Sequence, residues 1–265
     1  MEKTQNTSGR KVPYKEVCPG SHCRVYSSEN GLYDFREWYN LLYRILHAFS
    51  MRKEDEGNIS INVHREEVYL SIDRQVCLND DAAQVKALSE SFSVIQERKR
   101  TEVKFTPDRT LWPDLCFDEK NLEVMFKDYA YLHPNQVIFW DGHDIFQYSE
   151  GLRDLLVEEF RIKRGILWEH RPEIEVALAR TNSGESTIID YVNTRRTDGG
   201  VHVRTLQKAI AEYFPKMAQS GYVAAMDISA DKKDIKMMSD HPDTVGTLPE
   251  DRLNEIVTTI ASIAS

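Results

Sequence analysis

Residues 193–214 read NTRRTDGGVHVRTLQKAIAEYF, which places Gly199, Gly200 and His202 directly ahead of an amphipathic helix. Three chemistries suit that order. A glycine-rich turn into a helix N-terminus can hold a phosphate on backbone N–H groups. A histidine can carry protons near neutral pH. Two glycines can also do no more than turn a strand sharply into a helix, because they accept backbone conformations closed to other residues. In that case the turn itself or Asp198 caps the helix, and Leu206, Ile210, Tyr213 and Phe214 form its apolar stripe. His202 is then a structural histidine, and no acid–base role is assigned to it. A second cluster, CPGSHC, brings Cys18, His22 and Cys23 together, but Cys77 and Cys116 stand alone. A zinc site needs a second ligand pair, so the cysteines are read as reduced thiols and no metal is expected.

The elements that position these residues follow from composition and hydrophobic period. At 265 residues, 41% apolar and 29% charged, the chain can bury one large core or two modest ones. A formal net charge of −9 argues against unaided attraction to nucleic acid. DNA contact would need a local basic patch, such as QERKR with RTEVKFTPDR, or Arg195 with Arg196. Neither a membrane span nor a signal-peptide core is visible, so a soluble cytoplasmic protein is expected.

Residues 1–17 read as a polar arm. YDFREWYNLLYRILHAF has helical spacing, and ISINVHREEVYLSID alternates as a hairpin of two half-buried strands. DAAQVKALSESFSVI is a short helix running into a strand, and RTEVKFTPD is a strand closed by Pro107. Asp118 is the expected N-cap of a helix carrying Leu122, Met125, Phe126 and Tyr129, which Pro134 ends. QVIFWDGHDIFQY is a hairpin around a DG turn. SEGLRDLLVEEFRIKR is helical, EIEVALART, STIIDYVNT and YVAAMDISA are strands, and Pro249 opens a closing helix. Trp38, Trp112, Trp140 and Trp168 are each read as core. Strands and helices mix without strict alternation, which predicts α+β layers with a boundary near residue 143.

Taken in order, these pieces resemble the N-terminal half of the DNA gyrase B and topoisomerase IV subunits, of the GHKL superfamily. DGGVHVRTLQKAI resembles that family's G-G-T-H signature and following helix, YSEGLRDLLVEEF its Y-x-G-G-I segment, and EIEVALA its V-E-V-A-L strand. RTEVKFTPD and FDEKNLEVMFKDYAYLHPNQVIFWDG follow the family's strand, helix end and hairpin. CPGSHCRVYSSENGLYDFREWYNLL and VKALSESFSV resemble its arm and its V-N-A-L-S helix. The resemblance implies an arm (1–17), a reduced Bergerat-type α/β sandwich (18–142), and a transducer domain (143–265) with a left-handed βαβ crossover. Gly199, Gly200 and His202 would mark the transducer.

The family's nucleotide elements are altered here. The resemblance puts the general-base glutamate and the magnesium asparagine at positions occupied by Trp38 and Leu42, while Glu37 and Asn40 lie nearby, three apart instead of four. The D-N-G-R-G-I-P box reads DRQVCLN, in which Asp73 stands at the adenine-contact position and Gln75 and Cys77 replace glycines. Only NDDAAQ stands where a phosphate-cradling lid would run, and Asp243-Thr244-Val245 occupy the place of the Q-T-K loop, with Lys232, Lys233 and Lys236 near in sequence. No strand-cutting Toprim or tyrosine domain is seen in the sequence. The expected function is therefore a gyrase-B-like, nucleotide-incompetent module that dimerises or engages a topoisomerase, with the arm embracing a second subunit and no cofactor. The alternatives are a working ATPase subunit of a type IIA topoisomerase using ATP and Mg2+ through Glu37, Asn40, Asp73 and a lysine, or an unrelated α+β binding protein.

Overall fold

The computed structural model describes residues 25–28, 31–34, 57–64, 67–73, 80–108, 110, 119–140, 145–181, 183–239, 241 and 244–265. The chain divides into two units, Met1–Gln147 and Tyr148–Ser265.

In the first unit, β1 (Val25–Ser28) and β2 (Gly31–Asp34) form a separate antiparallel hairpin that the sequence reading did not foresee. β3 (Gly57–His64) and β4 (Glu67–Ile72) are the expected pair. Their alternation buries Ile59, Ile61, Val68, Leu70 and Ile72, because successive strand side chains point to opposite faces. α1 (Asp80–Ala87) runs into β5 (Ser89–Glu97), which returns as β6 (Arg100–Pro107). α2 (Glu119–Leu132) buries Leu122, Met125, Phe126 and Tyr129, each contributing roughly 1.5–3 kcal/mol. It stops ahead of Pro134, and β7 (Gln136–Trp140) pairs with β8 (Ile145–Phe146). The sheet order is β5-β6-β4-β3-β7-β8, antiparallel except where β3 meets β7. Trp140 is core, packed edge-on against Phe126 at 5.4 Å between ring centroids. On the opposite face, Tyr69 and Phe139 are exposed.

The second unit opens with α3 (Leu152–Phe160), then β9 (Ile166–Arg171), β10 (Ile174–Arg180), β11 (Thr187–Val192) and the short β12 (Arg195–Arg196). α4 (Val201–Tyr213) and α5 (Pro215–Ser220) lead to β13 (Tyr222–Ile228). A small ribbon of β14 (Lys236–Met237) and β15 (Val245–Thr247) precedes α6 (Glu250–Ala264). The sheet order is β12-β11-β13-β10-β9. β11 and β13 are parallel across α4 and α5, which makes this a βαβ crossover. Leu206 and Ile210 of α4 and Ile256 and Ile260 of α6 share one core with Val176, Leu178, Ala224 and Met226. α3 also packs on β10 and β13, and every residue of β13 is buried. Central strands covered on both faces read as continuous apolar runs, as YVAAMDI does.

Several details of the second unit depart from the sequence reading. β9 and the β14–β15 ribbon are additional elements. The helix from Val201 breaks at Phe214, where Pro215 starts a new one. Tyr213 is 37% exposed instead of buried in the stripe, and Trp168 is 38% exposed instead of core. α4 starts from Gly200 with no side-chain cap, so Asp198 does not cap it. Pro249 is the N-cap of α6. Tyr33 and Asp34, expected to open a helix over residues 33–49, end strand β2 instead; the rest of that helix, Asp118, Trp38, Trp112 and the DG turn lie outside the described residues.

Candidate functional site

Three carboxylates lie within strands that are otherwise apolar, and each organises a turn. Asp190 on β11 is the first. Its Oδ2 accepts the Gly199 N–H at 3.1 Å, His202 Nε2 lies 3.0 Å away, and the Thr197 hydroxyl donates to the same oxygen. The Thr197 N–H donates to the Asp190 carbonyl at 2.9 Å. The carboxylate therefore selects the Nε2–H tautomer of His202, whose Nδ1 is buried without a hydrogen-bond partner. His202 is fully buried and Asp190 nearly so. A general base must reach the proton that it takes, and this imidazole faces the core. What the pair does is hold the turn.

That turn carries a second strand. Gly199 and Gly200 have φ of +74° and +134°. A Cβ at Gly200 would lie 2.3 Å from the Val245 carbonyl oxygen and 2.7 Å from its nitrogen. The Val245 N–H donates to the Gly199 carbonyl at 3.0 Å, and the Thr244 hydroxyl to the Asp198 carbonyl at 3.1 Å. Gly200 thus permits a close backbone approach by β15, and Gly199 contributes only its positive φ.

Glu175 on β10 is the second carboxylate and is fully buried. Its Oε1 accepts the Leu152 N–H at 2.7 Å and the Trp168 Nε1–H at 3.1 Å, while His170 Nδ1 stands 3.3 Å from Oε2. Negative charge at the start of α3 is favoured by the helix dipole. Gly151 has φ +56°, and a Cβ there would sit 2.4 Å from Glu175 Oε1. Asp227 on β13 is the third and accepts the Thr194 N–H at 3.0 Å. Asn193 and Thr194 have positive φ, and the Asn193 amide exchanges two hydrogen bonds with the backbone of Ala230. The sequence reading named none of these three carboxylates. The available signal was a lone acid in each of IEVALA, TIIDYV and VAAMDI, since a charge is not buried without partners.

In the first unit, Asp73 follows β4 and is exposed. Its Oδ1 accepts the Asn58 N–H at 2.9 Å, its Oδ2 accepts the Asn58 side-chain amide at 2.8 Å, and its own N–H donates to the Asn58 carbonyl. Asp73 closes the end of the β3–β4 pair with both oxygens engaged. Glu37 and Asn40 lie outside the described residues, as do Cys18, His22, Cys23, Gln75, Cys77, Cys116 and Asp243. Lys233 is 3.5 Å from Asp231 on an exposed 3-10 turn, and Lys236 begins β14. Among the described residues no group of three or more His, Cys, Asp or Glu is placed to hold a metal ion, and no helix is long and apolar enough to cross a membrane.

No protein-family model matches the chain, and no curated protein matches it by sequence. Solved structures match it over most of its length. The B-subunit of DNA gyrase from Myxococcus xanthus superposes with a TM-score of 0.66 at 16% identity, over 85% of this chain and 88% of that one. The 43K ATPase domain of Thermus thermophilus gyrase B, in complex with an aminocoumarin, gives 0.62 at 15%, over 86% and 82%. The ATPase region of Saccharomyces cerevisiae topoisomerase II gives 0.59 at 14%, over 92% of each chain. The chain therefore shares the α+β fold of these gyrase B and topoisomerase II structures.

Proposed function

We propose that this chain is a gyrase-B-like scaffold that does not turn over nucleotide and works by dimerising or by engaging a topoisomerase-type partner. The observation that carries the reading is Asp73. The one described residue of the adenine box has each carboxylate oxygen bonded to Asn58. The altered box DRQVCLN and the short NDDAAQ segment after it support the same reading, since side chains crowd a backbone that must approach the nucleotide and paired aspartates repel phosphate. The dimerising part draws on the fold, which this chain shares with the subunit named in the gyrase structures.

Calorimetric titration of the full chain with a non-hydrolysable ATP analogue and magnesium tests the reading. The expected result is no heat of binding and no shift in melting temperature. Micromolar binding would overturn it in favour of a working ATPase built on Glu37, Asn40 and Asp73, with hydrolysis abolished in Glu37→Ala.

A further inference from the structure

We propose that β5 is a self-pairing edge through which two copies of this chain join their six-stranded sheets, antiparallel strand against antiparallel strand. The proposal deepens the dimerising reading and rests on it. β5 is the outermost strand of its sheet, and β6 is its one strand partner among the described residues. A long unpaired edge is a template for another strand.

The side chains of β5 are also incompletely covered. Phe92 and Val94 stand opposite Phe105 and Val103. Those two partners are fully buried, yet Phe92 and Val94 are only half-buried. On the other face Ile95 is 55% exposed. A neighbouring strand laid along the edge would finish covering both faces.

The sequence of β5 selects a second copy as that neighbour. About a twofold axis at Ser93, antiparallel pairing sets Phe92 opposite Val94 and Ser91 opposite Ile95. Within the regular stretch, these pairs about Ser93 set no carboxylate against another. In-register parallel pairing would instead set Glu97 on Glu97, a destabilising arrangement. The register shift between Ser89 and Ser91 confines regular pairing to the stretch from Ser91 onward. Each copy carries a net charge of −9, so association strengthens as salt screens that repulsion.

Sedimentation equilibrium on the full chain and on two variants tests the assignment. In Ser93→Glu the new carboxylate faces Lys104 within its own copy, while across the axis two carboxylates meet. The expected outcome is a dissociation constant raised at least tenfold with an unchanged melting temperature. In Ser93→Cys, mild oxidation is expected to join the two introduced thiols, because directly opposed Cα atoms at about 4.5–5.5 Å lie within disulfide reach. Peptide mapping separates that bond from the natural cysteines. A wild-type dimer indifferent to Ser93→Glu and giving no such cross-link overturns the β5 assignment and leaves the dimerising reading standing. A wild-type monomer at high salt and high concentration overturns both.

Discussion

Acidic residues do different work in the two units. In the second, Glu175, Asp190 and Asp227 sit on strands of the central sheet, at most 6% exposed, and each is tied to the turn or helix end beside it. In the first, Asp73 stands in solvent at the end of β4 and joins two strand ends. The lesson concerns cost. A carboxylate removed from water must be met by donors or it destabilises the fold, so replacing it disturbs everything that it gathers. An exposed carboxylate can be replaced with little consequence.

That comparison is broken most sharply at His202. His202→Ala removes the imidazole from a buried pair and leaves Asp190 with two donors, at an expected cost of about 3–4 kcal/mol. Chemical denaturation checks this, and a loss under about 1 kcal/mol would mean that the pair is dispensable. Gly200→Ala forces a Cβ onto the Val245 backbone at positive φ, and about 2–3 kcal/mol is expected. Hydrogen exchange should localise that loss to residues 244–247. Glu175→Gln keeps the shape of the α3 cap without its charge and should cost about 1.5 kcal/mol, with a matching fall in melting temperature. Asp73→Ala is expected to cost less than about 1 kcal/mol; an equal loss there would erase the contrast between the units.

A pH limb gives the smallest effect. Burial raises the Tyr222 phenol above its ordinary value of 10.0. The unfolded chain therefore releases that proton first, and stability is lost as pH rises above about 10. Tyr222→Phe should flatten the limb in an alkaline melting series.

Where hydrophobic period was clean, the sequence was readable. Ile59, Ile61, Val68, Leu70 and Ile72 alternate and are buried together, and Leu122, Met125, Phe126 and Tyr129 fall at helical spacing on one covered face. β9 escaped because ILWEHR lies at a sheet edge with only partial burial and no apolar alternation. The break between α4 and α5 is marked by Pro215, which fits the first turn of a helix and not the interior of one. The Gly-Gly turn was visible, but its partners were not. Asp190 precedes the turn by several residues, and Val245 comes from a ribbon far along the chain. Local spacing does not report contacts made across a fold.

The attachment of β15 to that turn also has a mechanical consequence. A pull on β15 would act first on the Val245–Gly199 and Thr244–Asp198 hydrogen bonds. From there it would reach the Asp190 carboxylate through the Gly199 N–H, and so the body of β11. Because β11 lies beside the fully buried β13, the sheet offers little give. A short displacement at the ribbon would arrive at β11 as force, with little loss to bending on the way.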